Sequence, residues 1–270
     1  MVVQAVIYPP VAALLALAGV RVAAFGPMMA AALLLAHWAA LRWVDGRGWD
    51  EVALGRPALR PAAIRLGLGA GSLAIAAPTL LLLAIGWLDL APAPDGGWWA
   101  TAGSVAAFLL PAALWEELLF RGYPLRVLAD AAGAGTALVV TSVLFGGVHL
   151  WNAGATAQST AIVTLAGFFL GAVLLRTRSL YAAWAAHWGW NWTMAAVFHV
   201  AVSGNPFPTP DYRVVDAGPD WATGGSWGPE GGAPAAAAML GGVALLLRGR
   251  RANESATSTA ARAPRRTNVE

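Results

Sequence analysis

The chain has 270 residues, of which 58% are hydrophobic and only 11% are charged. A soluble globular domain usually carries about 25% charged residues, so this composition excludes an ordinary soluble domain and indicates a polytopic membrane protein. The net charge is +3, and all seventeen basic residues are Arg. Because they lie between apolar runs, they indicate membrane topology rather than nucleic-acid binding. Cysteine is absent, which excludes disulfides, thiolate metal sites and a cysteine nucleophile.

Apolar runs of about 20 residues, the length that spans a bilayer, recur along the chain. The eight candidates are residues 3–20, 22–41, 64–88, 98–128, 134–151, 158–176, 179–202 and 233–248. The sequence therefore predicts an all-α fold, a polytopic transmembrane helical bundle of about eight helices. The N-terminus lacks the basic region and cleavage site of a signal peptide, so the first run is expected to be retained as a helix.

Arginine positions predict the orientation of the bundle, because cytoplasmic loops concentrate positive charge. With a cytoplasmic N-terminus and eight crossings, fourteen arginines lie inside, Arg21 and Arg213 lie outside, and Arg121 lies within the membrane. We therefore expect a multi-pass protein of the cell membrane with both termini cytoplasmic. The exclusive use of Arg is typical of a GC-rich genome, which favours a bacterial inner (cytoplasmic) membrane.

Composition divides the chain into five segments. The loop after the seventh run is rich in Gly, Pro and Asp, which is typical of a solvated connector, and the C-terminal residues are rich in Ala, Ser, Thr and Arg, which favours disorder. The predicted segments are N-terminal transmembrane helices with a cytoplasmic loop (1–97), a helical core (98–202), an external loop (203–232), a last transmembrane helix (233–248) and a disordered cytoplasmic tail (249–270).

Several ionisable side chains lie inside these apolar runs. Each costs about 2.5–3.5 kcal/mol on insertion, so such residues indicate a functional site by default. Glu117 and Arg121 are four residues apart, share a helix face and are expected to form an ion pair. Glu116 points about 100° away and is free to face a cavity. His187 and Asn191, also four apart, are expected to converge on one patch.

A third candidate comes from "FGGVH", where His149 follows Phe145 on the same helix face. A rise of about 1.5 Å per residue from the predicted cytoplasmic helix ends places Glu116 about 18 Å deep and His149 about 22 Å deep. His187 and Asn191 lie about 12–18 Å deep by the same measure. Polar side chains from three helices at a shared depth predict a single site.

Other polar and aromatic residues are expected to be structural. His37 and His199 lie near helix ends and are predicted to pack or to sit at the membrane interface. The same applies to the Trp residues at 184, 188, 190 and 192, although Trp188 is placed where it could line the pocket.

Three motifs appear in order on adjacent helices: "EELLFR" matches EExxxR, "FGGVH" matches FxxxH, and "HWGWN" matches HxxxN. Their order and separation resemble the CPBP family, which contains CAAX-type prenyl endopeptidases and bacteriocin-processing (Abi) intramembrane proteases. The resemblance covers residues 98–202, and every motif position is matched.

The resemblance implies an intramembrane glutamic endopeptidase that acts on a membrane-associated peptide or membrane protein. It implies that Glu116 is the general base that activates water and that His149 helps to hold this water. It further implies that His187 and Asn191 donate hydrogen bonds to the tetrahedral oxyanion. Glu117 and Arg121 would support the helix geometry or the charge state of Glu116, with Phe145 as a further supporting residue.

General chemistry is consistent with these roles, because peptide hydrolysis needs a base, a held water and oxyanion donors. A zinc protease remains the enzymatic alternative, since Glu with two His is a known zinc set, but no HExxH brings two His together. We therefore expect no metal and no other cofactor. A scaffold or immunity protein and a transporter stay open as alternatives, although no inverted repeats favour transport. The expected partners are the lipid bilayer and the peptide substrate, with no nucleic acid, and the oligomeric state stays open.

Overall fold

The computed structural model describes residues 25–262, so the predicted first span at residues 3–20 lies outside the described residues. Within them, the chain forms an all-α bundle with one short β-ribbon, which confirms the predicted fold class. The α-helices are α1 Phe25–Ala39, α2 Pro61–Ala84, α3 Trp98–Arg121, α4 Tyr123–Ala132, α5 Ala134–Val148, α6 Ala157–Thr177, α7 Leu180–Trp192, α8 Asp220–Thr223 and α9 Ala233–Arg262. The strands β1 Leu88–Pro92 and β2 Tyr212–Asp216 pair antiparallel, with Leu88 opposite Asp216 and Pro92 opposite Tyr212.

Within residues 25–262, five helical segments are long and apolar enough to cross a membrane. They are Phe25–Val44, Pro61–Ala84, Trp98–Ala132, Ala134–Trp151 and Ala157–Thr177. The chain is a multi-pass membrane protein. The predicted spans at 179–202 and 233–248 are not among the five. The first of these contains α7, which α2, α3 and α6 enclose, so its Trp, His and Asn side chains face protein more than lipid. The second begins the last helix, whose apolar part, Ala233–Arg248, is shorter.

Glycines bring α2 and α7 into close contact. A Cβ at Gly67 would lie 2.0 Å from the carbonyl oxygen of Ala182, and one at Gly71 would lie 1.9 Å from that of Ala186. Neither glycine tolerates a side chain, because backbone atoms already occupy the space. Small residues four apart allow this approach in membrane helices. Helix α2 therefore fixes the position of α7 from one side.

Tryptophans fix α7 against α3 on another side. Three Trp residues at successive four-residue intervals on α7 donate their indole N–H groups to backbone carbonyl oxygens of α3. The pairs run in opposite order along the two helices: Trp184 to Leu110 at 2.8 Å, Trp188 to Ala106 at 3.2 Å and Trp192 to Ala102 at 3.1 Å. This Trp ladder sets the register of the two helices that carry the HxxxN and EExxxR motifs. From the sequence, these Trp residues were expected only to pack or to lie at the membrane interface.

The loops gather at two ends of the bundle. The arginine-rich end contains residues 40–60, 122–134 and 175–180, and here Ser179 Oγ donates to the carbonyl oxygen of Ala58 at 2.7 Å. The loop end contains residues 85–97, 149–157 and 199–232, and here β1 pairs with β2. The contacts at each end therefore join segments that the predicted topology places on the same side of the membrane.

Two segments differ from their predicted character. Residues 203–232, predicted as a solvated connector, contain β2, α8 and short 3₁₀ turns, and they bury Trp227 and Glu230. Helix α9 continues to Arg262, whereas a disordered tail was predicted from residue 249. The alanines of this segment have the highest helix propensity, which favours the continuation.

Candidate active site

A buried ion pair forms the base of the site. Glu117 and Arg121, one turn apart on α3, are both fully buried, and Arg121 Nη1 donates to Glu117 Oε1 at 3.1 Å. The same carboxylate oxygen accepts from His187 Nδ1 at 2.9 Å. Arg121 Nη2 reaches across to α6 and donates to the carbonyl oxygen of Gly167 at 3.2 Å. The ion pair predicted from the spacing is therefore present, and it joins α3, α6 and α7.

Phe145 packs between the ion pair and the two histidines. The guanidinium carbon of Arg121 lies 4.2 Å from the centre of the Phe145 ring, within the range of a cation–π contact. The same ring lies 4.8 Å from the His149 ring and 5.8 Å from the His187 ring, centre to centre. An arginine suits this position because its weakly hydrated planar cation stacks on an aromatic face.

Glu116 approaches the other nitrogen of the same imidazole. Its Oε2 lies 3.8 Å from His187 Nε2 and is buried without a hydrogen-bond partner among the side chains of residues 25–248 and the described backbone. The ring of His187 is thus held between two consecutive acids of α3. Two carboxylates, one guanidinium and one imidazole therefore meet at this point of the bundle.

A cavity of about 30 Å³ lies next to His187. This volume is enough to hold water, since about 10–15 Å³ accommodates one molecule. Polar groups from three parts of the chain converge on it. The lining residues are Phe145, His149, Val163, Ala166, Phe169, Leu170, His187, Trp190, Asn191, Ser203 and Glu230.

His149 presents a defined nitrogen to this cavity. It follows the last residue of α5, and its Nδ1 donates to the carbonyl oxygen of Phe145 at 2.7 Å. This hydrogen bond fixes the tautomer of a neutral ring and leaves Nε2 with a lone pair. His149 is therefore equipped to accept a hydrogen bond from water.

The structure brings His149, His187 and Asn191 to one cavity, but Glu116 is not among its lining residues. Glu116 instead approaches Nε2 of His187, which does line the cavity. The predicted depth of Glu116 was measured from a helix end at residue 128, whereas α3 ends at Arg121. Glu116 therefore lies five residues before its helix end, at the arginine-rich end, whereas His149 lies at the loop-end terminus of α5.

Glu230 lines the cavity and was not identified from the sequence. Its carboxylate accepts from Trp190 Nε1 at 2.7 Å and from Ser203 Oγ at 2.8 Å. Glu230 lies in a loop rich in Gly and Pro, where side chains have no helical period that relates them to the other site residues. The acid becomes recognisable only when the loop folds over the bundle.

The two remaining histidines have structural contacts. His37 Nε2 accepts from the backbone N–H of Tyr123 at 2.9 Å and so caps the start of α4. His199 Nδ1 donates to the carbonyl oxygen of Tyr212 at 2.6 Å, next to β2. Both agree with the structural role predicted for them.

Among residues 25–248, whose side chains the structure describes, no three His, Asp or Glu lie where they could hold one metal ion together. The geometry around His187 gives the reason there. Glu116 and Glu117 approach opposite nitrogens of the ring, so the three side chains do not converge on a common point.

One comparison with known proteins finds a match. Residues 98–193, 96 of the 270 residues, match the model of a family described as type II CAAX prenyl endopeptidase Rce1-like. No curated protein and no solved structure matches the chain. The matched segment contains the three motifs, the Glu117–Arg121–His187 cluster and the cavity residues of α5 to α7. Through this core the chain is similar to the Rce1-like family of CAAX-type prenyl endopeptidases.

Proposed function

We propose that the chain hydrolyses a peptide bond of a membrane-associated peptide or protein, with Glu116 as the general base for an attacking water. The observation that carries this proposal is the state of Glu116 Oε2, a buried acceptor without a hydrogen-bond partner among the described residues, 3.8 Å from His187 Nε2. A buried unpaired polar atom in a native structure calls for an explanation, and a reacting water supplies the missing donor.

The proposed chemical step uses Glu116, which approaches His187, together with the polar groups that line the cavity. Water gives one proton to Glu116, and its oxygen attacks the carbonyl carbon of the substrate. His149 Nε2, with its free lone pair, accepts from the same water and orients it. When the tetrahedral intermediate collapses, the C–N bond breaks and the proton on Glu116 passes to the leaving nitrogen.

The oxyanion is stabilised from α7. The amide NH2 of Asn191 is one donor, and the Nε2–H of doubly protonated His187 is the other. Glu117 holds His187 through Nδ1 and keeps that ring oriented toward the cavity. Each fixed donor of this type typically contributes about 2.7–4 kcal/mol in the transition state. The Trp ladder positions both donors, because it fixes α7 against the helix that carries the base.

A metal-free reaction follows from this assignment, because base and oxyanion donors are all side chains of the chain itself. The test is activity after exhaustive chelation. We expect it to be unchanged, and loss of activity that added zinc restores would favour the zinc alternative. The proposed setting is a bacterial inner membrane with both termini cytoplasmic.

The main test uses the purified protein in lipid vesicles with three substrates: a prenylated CAAX peptide, its unmodified form and a transmembrane peptide. Cleavage is measured by mass spectrometry. We expect Glu116→Gln to lower kcat/KM by about 100-fold to 10,000-fold, the usual contribution of a general base. Glu51→Gln is the matched control, because it makes the same chemical change at an exposed residue of the arginine-rich end.

Retained activity in Glu116→Gln would refute Glu116 as the base. Absence of cleavage of all three substrates by the unmodified chain would count against an enzyme of this substrate class and favour the scaffold alternative.

A further inference from the structure

We propose that Glu230 is a positioning residue of this site: it anchors loop 203–232 over the cavity and so forms the cavity wall at the loop end. Its meaning for catalysis rests on the proposed function, whereas the anchoring itself can be tested without any activity.

Both oxygens of the Glu230 carboxylate accept hydrogen bonds. Oε2 accepts from Trp190 Nε1 at 2.7 Å, and Oε1 accepts from Ser203 Oγ at 2.8 Å and from the Ser203 backbone N–H. Only 6% of the residue is exposed, and no basic side chain of residues 25–248, whose side chains the structure describes, forms an ion pair with it. A buried charge without a cation persists only where donors replace the lost water, and three donors do so here.

One of these donors, the indole of Trp190, comes from an element that carries proposed catalytic groups, and the other two come from Ser203 at the start of the same loop. Trp190 lies on α7 between His187 and Asn191. The carbonyl oxygen of Ser203 in turn accepts from Asn152 Nδ2 at 3.0 Å, three residues after His149. Glu230 therefore connects the loop to both sides of the cavity.

The backbone at Ser203 needs such an anchor. Ser203 has a φ of 48°, and Gly204 follows with a φ of 76°. A Cβ at Gly204 would lie 1.9 Å from the carbonyl oxygen of Ala153, so this turn is packed directly against the segment after His149. A non-glycine residue in the left-handed region persists only where its surroundings hold it. The two hydrogen bonds from Ser203 to Glu230 provide that hold.

Glu230→Gln is a sharp test because the side chain keeps its shape. A glutamine has one acceptor oxygen and one NH2 donor. Whichever way it is turned, its NH2 faces either Trp190 Nε1–H or the two Ser203 donors. Removing the indole donor with Trp190→Phe relieves this conflict, since the NH2 can then turn toward the ring while the oxygen accepts from Ser203.

The rate of thiol labelling measures how well the cavity wall excludes a reagent. A single introduced cysteine is enough, because the natural chain contains none. Val163 is buried and lines the cavity, so Val163→Cys introduces a reporter thiol there. The protein is labelled in detergent with a charged maleimide, which must pass the wall to react. We expect Glu230→Gln to accelerate labelling about tenfold, because a buried donor left unpaired shifts a local opening equilibrium by about that factor. Ser226→Cys, exposed on the same loop, controls for general reactivity and should label equally in both backgrounds.

The double variant Glu230→Gln/Trp190→Phe should restore slow labelling of the Val163→Cys thiol. Equal labelling rates with and without Glu230→Gln would overturn the proposal, as would fast labelling that Trp190→Phe leaves unchanged. If Glu230→Gln does not fold, Ser203→Ala takes its place. It removes one donor only, and an unchanged labelling rate in that variant would overturn the anchor.

Activity then separates positioning from general stability. For a cleaved peptide, we expect Glu230→Gln to lower kcat and leave KM within about threefold, because the donors on α7 act mainly in the transition state. The double variant should have a higher kcat than Glu230→Gln alone. Labelling does not depend on catalysis, so its result stands even if Glu116→Gln shows that the proposed function is wrong.

Discussion

Two arginine clusters of this protein use the same local geometry in different surroundings. Arg121 pairs with Glu117 one turn away on α3, and Arg126 pairs with Asp130 one turn away on α4, at 3.1 Å and 2.9 Å. In the first pair both side chains are 0% exposed, whereas in the second the exposed fractions are 13% and 62%. Helix spacing decides that these pairs form, and burial decides what they contribute.

Arg126 and Arg121 also differ in the groups that surround them. Arg126 also contacts Asp45, and its Nε lies 3.6 Å from Glu51, so it serves three acids at the arginine-rich end. Water and salt screen such charges, and exposed pairs contribute about 0–1 kcal/mol. At Arg121 the replacements for water are Glu117, the carbonyl oxygen of Gly167 and the Phe145 ring. Removing one partner there leaves an uncompensated buried charge.

The largest expected effect is therefore that of Arg121→Met. It removes the guanidinium that pairs with the buried carboxylate of Glu117, to which His187 stays hydrogen-bonded, and breaking a buried pair in this way costs about 3–5 kcal/mol. We expect a large fall in the thermal unfolding midpoint of the purified protein in detergent. The loss should be nearly the same at low and high salt, since the site is closed to ions.

A second substitution sharpens this test. Glu117→Gln in the Arg121→Met background removes the stranded charge while keeping an oxygen acceptor for His187 Nδ1. The double variant should be more stable than Arg121→Met alone. If the double variant is less stable, the loss does not come from the broken ion pair. It would then come from the lost contact of Arg121 with Gly167 or Phe145.

A smaller effect is expected for Arg126→Gln. It removes one cation from three neighbouring acids, of which Glu51 keeps Arg47, and these acids retain access to water, so we expect a loss of about 1 kcal/mol. The measurement is the unfolding midpoint at low and at high salt. Because salt screens exposed charges, the difference from the unmodified chain should shrink as salt is raised. A loss that is independent of salt would show that the apolar stem of Arg126, rather than its charge, stabilises this end.

The same contrast explains what the sequence could predict. Contacts within one helix follow from the helical period, so the Glu117–Arg121 pair and the shared patch of His187 and Asn191 were predictable from spacing alone. Composition likewise identified the apolar helices, since their lengths match the membrane thickness.

Contacts between distant segments were not predictable in this way. Glu230 reaches Trp190 across 40 residues, and the Trp ladder pairs residues 74 to 90 apart. The break between α3 and α4 was also missed, although Gly122 and Pro124 mark it. Such features depend on how helices pack, and a single sequence contains no periodic signal for that.

The smallest expected effect tests whether the exposed cluster acts as a network. Arg47 donates to Glu51 at 2.9 Å, with exposed fractions of 49% and 39%. Arg47→Gln should cost about 0.3–0.5 kcal/mol at low salt, the value of an exposed pair one turn apart, and nothing measurable at high salt. Glu51 also faces Arg126, so the two arginines share one acid. The effect of Arg47→Gln should therefore be larger when Arg126→Gln is already present, because Arg47 is then the remaining cation at Glu51 among the described residues. Strict additivity of the two changes would mean that each arginine acts alone, since coupling is what distinguishes a network from separate pairs.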